Sequence, residues 1–308
     1  MGGRKVVLVV PSIARDISYF FKYVELYFKY LPIREICIIG NAEVRCLIPQ
    51  NERISFIDEG ELIDIPNLKK NYQERHLPAI YEGKFGWYLQ QFIKIAYSKR
   101  CSDDYYLLWD SDTLPLKEVE LFDKLGKPYF DYKAEYHKPY FETIGLLFTD
   151  LSKHIDYSFI SEHMLINTAF MLALIKEVED NDNLIGSGFE EKIINSMSID
   201  LESGCSFSEF ETYGNYVNTK FPGSYSLRRW RSMRYGGFYF STRDINSNSI
   251  IWLSKRYDAI SFEKKHILPF GFSVVREPLF QMLFSPIILE PLTFFLRIIR
   301  FIMYRISK

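Results

Sequence analysis

Two acids one residue apart, Asp110 and Asp112, follow the run Tyr105-Tyr106-Leu107-Leu108-Trp109. Such an apolar run predicts a buried strand, and a carboxylate is costly to bury without a partner. On an extended chain the two side chains point to the same side, because side-chain directions alternate. Converging carboxylates repel unless a cation or a proton lies between them. Hard oxygen ligands suit Mg2+ or Mn2+, which keep open positions for phosphate oxygens. An ion so held neutralises charge gathering on a departing diphosphate. The pair predicts a metal–nucleotide site. The competing reading of Asp-Ser-Asp is ordinary turn or helix-cap chemistry.

Elements must position these acids. KVVLVVPS (5–12) reads as a strand buried on both faces. A helical pattern follows over 16–31, then short β-rich runs at 34–40 and 53–62. This alternation predicts an open α/β sheet, with ligands outside the carboxyl ends of its strands. Ser12 and Asp16 then sit at a binding edge. The helix expected over 84–100 carries Phe85, Tyr88, Leu89, Phe92, Ile93 and Ala96 on one apolar face. Trp87, Gln90, Gln91 and Lys94 occupy the other side, as a solvated or a ligand-facing surface. Further on, the pattern predicts a strand over 142–148, a helix from His163 to Lys176, and short helices near 190–197 and 208–217.

The bulk properties narrow the classes. A net charge of −1 gives no whole-molecule field for nucleic acid. The 22 Tyr and 26 Phe supply core and stacking surfaces. The four cysteines form no CxxC pair, and Cys37 and Cys46 are expected as buried thiols. The opening apolar run is too short for a signal peptide, so a reducing cytoplasm is expected. No internal repeat or low-complexity linker appears, and one compact domain is the expectation.

GWYLQQFIKI, YLLWDSDTLPL, SEHMLIN and FSEFETYGNY, in this order, resemble GT-A fold glycosyltransferases of bacterial capsule and O-antigen synthesis, over roughly residues 5–240. The resemblance implies a GT-A-like, Rossmann-like mixed sheet flanked by helices. It implies a nucleotide-sugar donor, UDP-linked and UDP-galactose among the options, with Mn2+ or Mg2+ held chiefly by Asp112. Asp110 would lie on the metal or the ribose. Pro11, Ser12 and Asp16 match the place where the base is held, and Lys84, Gln90, Gln91 and Lys94 match the helix beside the donor. The acceptor would be a saccharide or lipid-linked glycan. Two other classes compete: a Mg-dependent nucleotidyltransferase or phosphohydrolase, and a non-catalytic carbohydrate-binding protein.

An inverting transferase needs a carboxylate to take the acceptor hydroxyl's proton. Glu209 and Glu211 lie among aromatics that exclude water. On a helix they point about 200° apart, so one faces a site, and Glu209 is preferred. An acidic first helical turn after Ser208 is the alternative. His163 is a candidate metal or acceptor contact, against a structural role at a helix start capped by Ser161 or Glu162. His266 is a further candidate ligand. Arg228, Arg229, Arg231 and Arg234, interleaved with Trp230 and Tyr235, suit phosphate or a basic surface loop.

In the tail, Arg297, Arg300, Tyr304, Arg305 and Lys308 fall on one stripe of an otherwise apolar amphipathic helix. An anionic bilayer surface attracts such a helix, which is too short and charged to span. The expected organisation is a catalytic domain over 1–270 and a membrane-associating helical tail over 271–308. The protein is then peripheral on the inner face of the bacterial cytoplasmic membrane.

Overall fold

The computed structural model describes residues 4–151, 155–240, 245–262 and 273–306, with backbone alone at 273 and 301–306. His266 and Lys308 lie outside the described residues, as do the side chains of Tyr304 and Arg305. Contacts divide the chain into two compact units, Met1–Ile17, Pro32–Asp110 and Glu120–Trp230 in the first and Ser18–Leu31, Ser111–Val119 and Arg231–Lys308 in the second.

The first unit is built on five strands: β1 (Val6–Pro11), β2 (Ile33–Gly40), β3 (Ile54–Asp58), β4 (Tyr105–Trp109) and β7 (His163–Asn167), in the order β3-β2-β1-β4-β7. β1 to β4 are parallel neighbours, whereas β7 runs antiparallel to β4 with Trp109 opposite His163. Parallel strands are covered on both faces, which is why Val6 to Pro11 read as an unbroken apolar run and are all buried. One face of the sheet, with Val7, Val9, Cys37, Ile39, Tyr106 and Leu108, belongs to a core shared with α4 (Ile65–Glu74) and five further helices. These are α5 (Phe85–Ala96), α6 (Lys138–Leu147), α7 (Thr168–Glu179), α8 (Phe189–Ser196) and α9 (Glu209–Lys220). Helix α3 (Ala42–Arg45) and a parallel pair, β6 (Tyr129–Tyr132) with β8 (Ser226–Arg229), complete the unit.

Three local readings are corrected. Residues 142–147 belong to helix α6, not a strand, and Phe148 is its extended C-cap: Pro139 stands in the first turn, and Thr143, Ile144 and Leu147 bury one helical stripe. The helix expected from His163 begins only at Thr168. His163 to Asn167 pair with β4 instead, and the Asn167 side chain caps α7 by accepting from Phe170 N at 3.1 Å. The helix expected over 16–31 breaks at Tyr23 into α1 (Ala14–Lys22) and α2 (Val24–Tyr30). Cys37 is buried as expected, and burial pushes its thiol up to about 11. Cys46 is exposed, because it falls on the turn ending α3 rather than in β2.

The second unit carries a small sheet of β5 (Thr113–Pro115), β10 (Ala259–Ser261) and β9 (Ser232–Met233), in the order β5-β10-β9. Tyr27 Oη donates to the Thr113 carbonyl at 2.7 Å, and Phe262 N donates to the Asp112 carbonyl at 2.9 Å. Helices α10 (Gly236–Tyr239), α11 (Ser247–Ser254), α12 (Pro278–Leu283) and α13 (Leu289–Ile306) follow. α13 buries Leu289 and Leu296 and exposes Phe294, Phe295, Ile298 and Ile299.

One turn of the first unit fixes the entry to α9. Asp200 Oδ1 accepts from Glu202 N and Ser203 N, and its Oδ2 from Cys205 N and Ser203 Oγ. Tyr81 Oη accepts from Asp200 N at 2.7 Å, and Tyr88 Oη from Ser206 N at 3.0 Å. Gly204 has φ +63 and lies so close to the Ile80 carbonyl that a Cβ would stand 2.8 Å from its oxygen. Burial works against the Asp200 charge, but these donors hold its carboxyl at about 2, below the usual 3.8. The stabilisation is fully present above the unfolded value and is lost as pH falls through the folded one. Asp200→Asn is expected to cost about 2 kcal/mol at neutral pH. In urea titrations the gap to the unsubstituted protein should close as pH falls from about 4 to about 2.

Candidate functional site

The chain leaves β1 toward β2 on one side, and β4 returns on the other side of β1. At such a reversal the connections diverge and leave a crevice outside the carboxyl ends of the two strands. Pro11 and Ser12 close β1, and Asp110 follows the last residue of β4. Ser12 N donates to the Ile39 carbonyl at 2.9 Å. A Cβ on Gly40 would stand 2.9 Å from the Ser12 carbonyl, so a glycine is needed for the strand ends to approach. Gln90 Nε2, on α5, reaches the Pro11 carbonyl at 3.5 Å.

A buried ammonium organises the β4 end. Lys94 Nζ donates to Asp110 Oδ1 at 2.7 Å and to Glu209 Oε1 at 2.6 Å, and it lies 4.5 Å from the centre of the Phe210 ring. The side chains are 4 % exposed at Lys94, 7 % at Glu209 and 30 % at Asp110. Gln91 Oε1 accepts from Glu209 N at 3.0 Å, so two consecutive turns of α5 hold the first turn of α9. Burial alone disfavours the Lys94 charge, but Asp110 and Glu209 outweigh it and hold the ammonium above its ordinary value. Burial pushes the Asp110 carboxyl up; Lys94 pulls it back, and the charges of Glu209 and Glu162 add to the rise.

A second charged cluster lies along β7. Asp110 N donates to the Glu162 carbonyl at 2.9 Å, while the Glu162 carboxylate accepts from Lys133 Nζ at 2.7 Å and Trp230 Nε1 at 3.0 Å. The His163 ring lies against both Trp109 and Trp230, with ring centres 4.6 and 4.3 Å away and planes tilted by 33° and 56°. Its Nε2 lies 2.8 Å from Asp131 Oδ2, and its buried Nδ1 has no hydrogen-bond partner among the described residues. Arg228 grips the same Asp131 carboxylate with Nε and Nη2, both at 2.7 Å. Burial opposes the Asp131 charge, but hydrogen bonds from Arg228 and His163 hold its carboxyl below its ordinary value.

The structure thus brings together Gln90 with Pro11, Gln91 with Glu209, and Lys94 with Asp110 and Glu209. Asp16 is buried and paired with Arg15, and Lys84 points to Cys205 Sγ at 3.6 Å. Glu211 is fully buried and accepts from Ser158 Oγ, Phe159 N and Asn215 Nδ2. Asp112 belongs to the second unit, where Thr113 Oγ1 lies 3.4 Å from its Oδ1. Sequence reasoning missed Asp131 and Lys133. The signal was present, since Asp131 interrupts the aromatic run Tyr129-Phe130-Asp131-Tyr132 as Asp110 ends its own.

Among the described residues, no group of three or more His, Cys, Asp or Glu is placed to hold a metal. Asp110 is nonetheless a hard oxygen donor and the most exposed acid of these two clusters. An ion that takes the rest of its shell from water and phosphate needs only one or two such carboxylates. That donor chemistry fits Mg2+ or Mn2+.

A profile of a family of unknown function, DUF6492, matches residues 20–212, more than half of the chain, and the chain belongs to that family. No curated protein matches the sequence. Among solved structures, the fold is similar to apo mouse xyloside xylosyltransferase 1 (TM-score 0.44, 8% identity, 86% of this chain and 99% of that one). It is also similar to the galactosyltransferase LgtC in complex with donor and acceptor sugar analogs (TM-score 0.42, 13% identity, 83% and 87%). A third similar structure is the apo bifunctional WbbM (TM-score 0.42, 11% identity, 84% and 45%). Superpositions this loose carry over neither fold nor activity.

Asp131 is the carboxylate on which Arg228 and His163 both depend, and removing one member of a buried pair strands the others. Asp131→Asn is expected to lower folding stability by about 3 kcal/mol, read from the urea midpoint at constant slope.

Proposed function

We propose that the chain is a divalent-metal-dependent glycosyltransferase. It moves a sugar from a nucleoside diphosphate donor, a UDP sugar such as UDP-galactose, to a saccharide or lipid-linked acceptor of a bacterial surface polysaccharide. The observation that carries this reading is the position of Asp110. It follows β4 directly, beside the β1–β4 reversal, keeps part of its carboxylate in solvent, and has one oxygen fixed by a buried lysine. Asp112 enters through its place in the motif, two residues along the chain.

In the transfer, the acceptor hydroxyl oxygen bonds to the anomeric carbon. The bond from that carbon to the diphosphate oxygen breaks, its electron pair leaves with the nucleoside diphosphate, and the hydroxyl proton passes to a base. Mn2+ or Mg2+, when bound, supplies charge neutralisation for the departing diphosphate. The protein's part is placement. Pro11 and Ser12, with Asp16 in the following helix, line the edge that receives the nucleotide base, and Gln90 and Lys94 of α5 flank the diphosphate side. The wholly buried Glu211 braces the Ser158–Phe159 segment.

The second unit meets an anionic membrane surface from the cytoplasmic side. What supports this is the outward set Phe294, Phe295, Ile298 and Ile299 on a helix that docks through Leu289 and Leu296. Exposed apolar side chains beside arginines suit the interface of an anionic bilayer. No described helix is long and apolar enough to cross a membrane.

Two measurements test these assignments. A thermal-shift screen of nucleotide sugars with and without Mn2+ should show stabilisation by one donor, about 2.7 kcal/mol at a hundredfold excess over Kd. The effect should need Mn2+ and vanish in Asp112→Ala, and the product should be a nucleoside diphosphate. Pyrophosphate or free phosphate as product sinks the transferase assignment. In flotation, the full chain should rise with vesicles containing phosphatidylglycerol and stay down with phosphatidylcholine alone. Phe294→Glu with Phe295→Glu should leave it in the soluble fraction.

A further inference from the structure

We propose that Glu209 is a positioning residue rather than a proton acceptor: it balances the Lys94 ammonium, so that the cluster at the end of β4 keeps a net negative charge that attracts a divalent cation to Asp110. The inference rests on the metal reading above. One ammonium lies within hydrogen-bond reach of two carboxylates, 2.7 Å from Asp110 and 2.6 Å from Glu209. The three groups therefore carry one surplus negative charge. Lys94 and Glu209 are almost wholly enclosed, whereas Asp110 is 30 % exposed, so the surplus faces outward only at Asp110.

The surroundings keep Glu209 in this role. Ser208 caps α9 and accepts from Glu211 N, which puts Glu209 in the first turn, where the helix dipole favours a carboxylate. Gln91 holds its backbone N–H, and the Phe210 ring lies against the same ammonium. A general base must come within hydrogen-bond distance of the proton it takes. The Glu209 carboxylate is enclosed and has Oε1 committed to Lys94. Without it, the whole lysine charge would fall on Asp110 and make a neutral pair. With both removed, the cluster would again carry one net negative charge, on Asp110.

The experiment is Mn2+ binding to the full chain, followed by electron paramagnetic resonance of the free ion, with turnover measured on the same variants. Glu209→Gln is expected to weaken Mn2+ binding about tenfold, and Lys94→Met combined with Glu209→Gln to bring it back close to the starting affinity. In Glu209→Gln alone, turnover should recover when Mn2+ is raised about tenfold to offset the weaker binding; a lost base stays lost at saturating Mn2+. Mn2+ affinity unchanged in Glu209→Gln, or no recovery in the double variant, overturns the inference alone. No Mn2+ binding by the unsubstituted chain, or full binding by Asp110→Asn, overturns the metal reading and this one with it.

Discussion

The candidate site depends on an ammonium enclosed between two carboxylates. Lys94 is nearly removed from solvent, and a lone charge in that position would be lost to deprotonation or unfolding. Asp110 and Glu209 make it tenable, one from the end of a sheet strand and one from the first turn of a helix. The arrangement welds α5, β4 and α9 through a single atom. It demands a fixed Glu209 backbone, and the Asp200 turn, Gly204, the Ser208 cap and Gln91 each constrain that backbone. Breaking any one of them acts on Asp110 at a distance.

The second cluster follows the same logic with different chemistry. Asp131 is deeper than Asp110 and is satisfied completely by a bidentate arginine and a histidine. That geometry suits a fixed brace. Glu162 is enclosed too, with both oxygens taken by Lys133 and Trp230. Graded exposure thus sorts chemically similar acids: the enclosed ones hold elements together, and the one at the strand end faces outward.

Much of the sheet was legible from sequence because β1, β2 and β4 are covered on both faces, and contiguous apolar runs follow from that burial. Helix α5 was legible from its period, as were α8 and α9 in outline. β7 was not. Its residues His163 to Asn167 fit a helical pattern as well as a strand, and antiparallel pairing with β4 decided between them. The candidate residues were legible one by one, but their partnerships were not. Lys94 and Glu209 lie 115 positions apart, so nothing local marks Glu209 as the lysine's counterion. Asp131 stands alone in an aromatic run, with no second acid beside it to mark a charged site.

The cluster of Trp109, His163 and Trp230 has a practical use. Two of the chain's four tryptophans stand in it, one of them the immediate neighbour of Asp110 and the other hydrogen-bonded to Glu162. Their emission responds to the polarity and charge around the indole rings. The molecule therefore contains an intrinsic optical probe at the strand end, and occupancy there can be followed without attaching a dye.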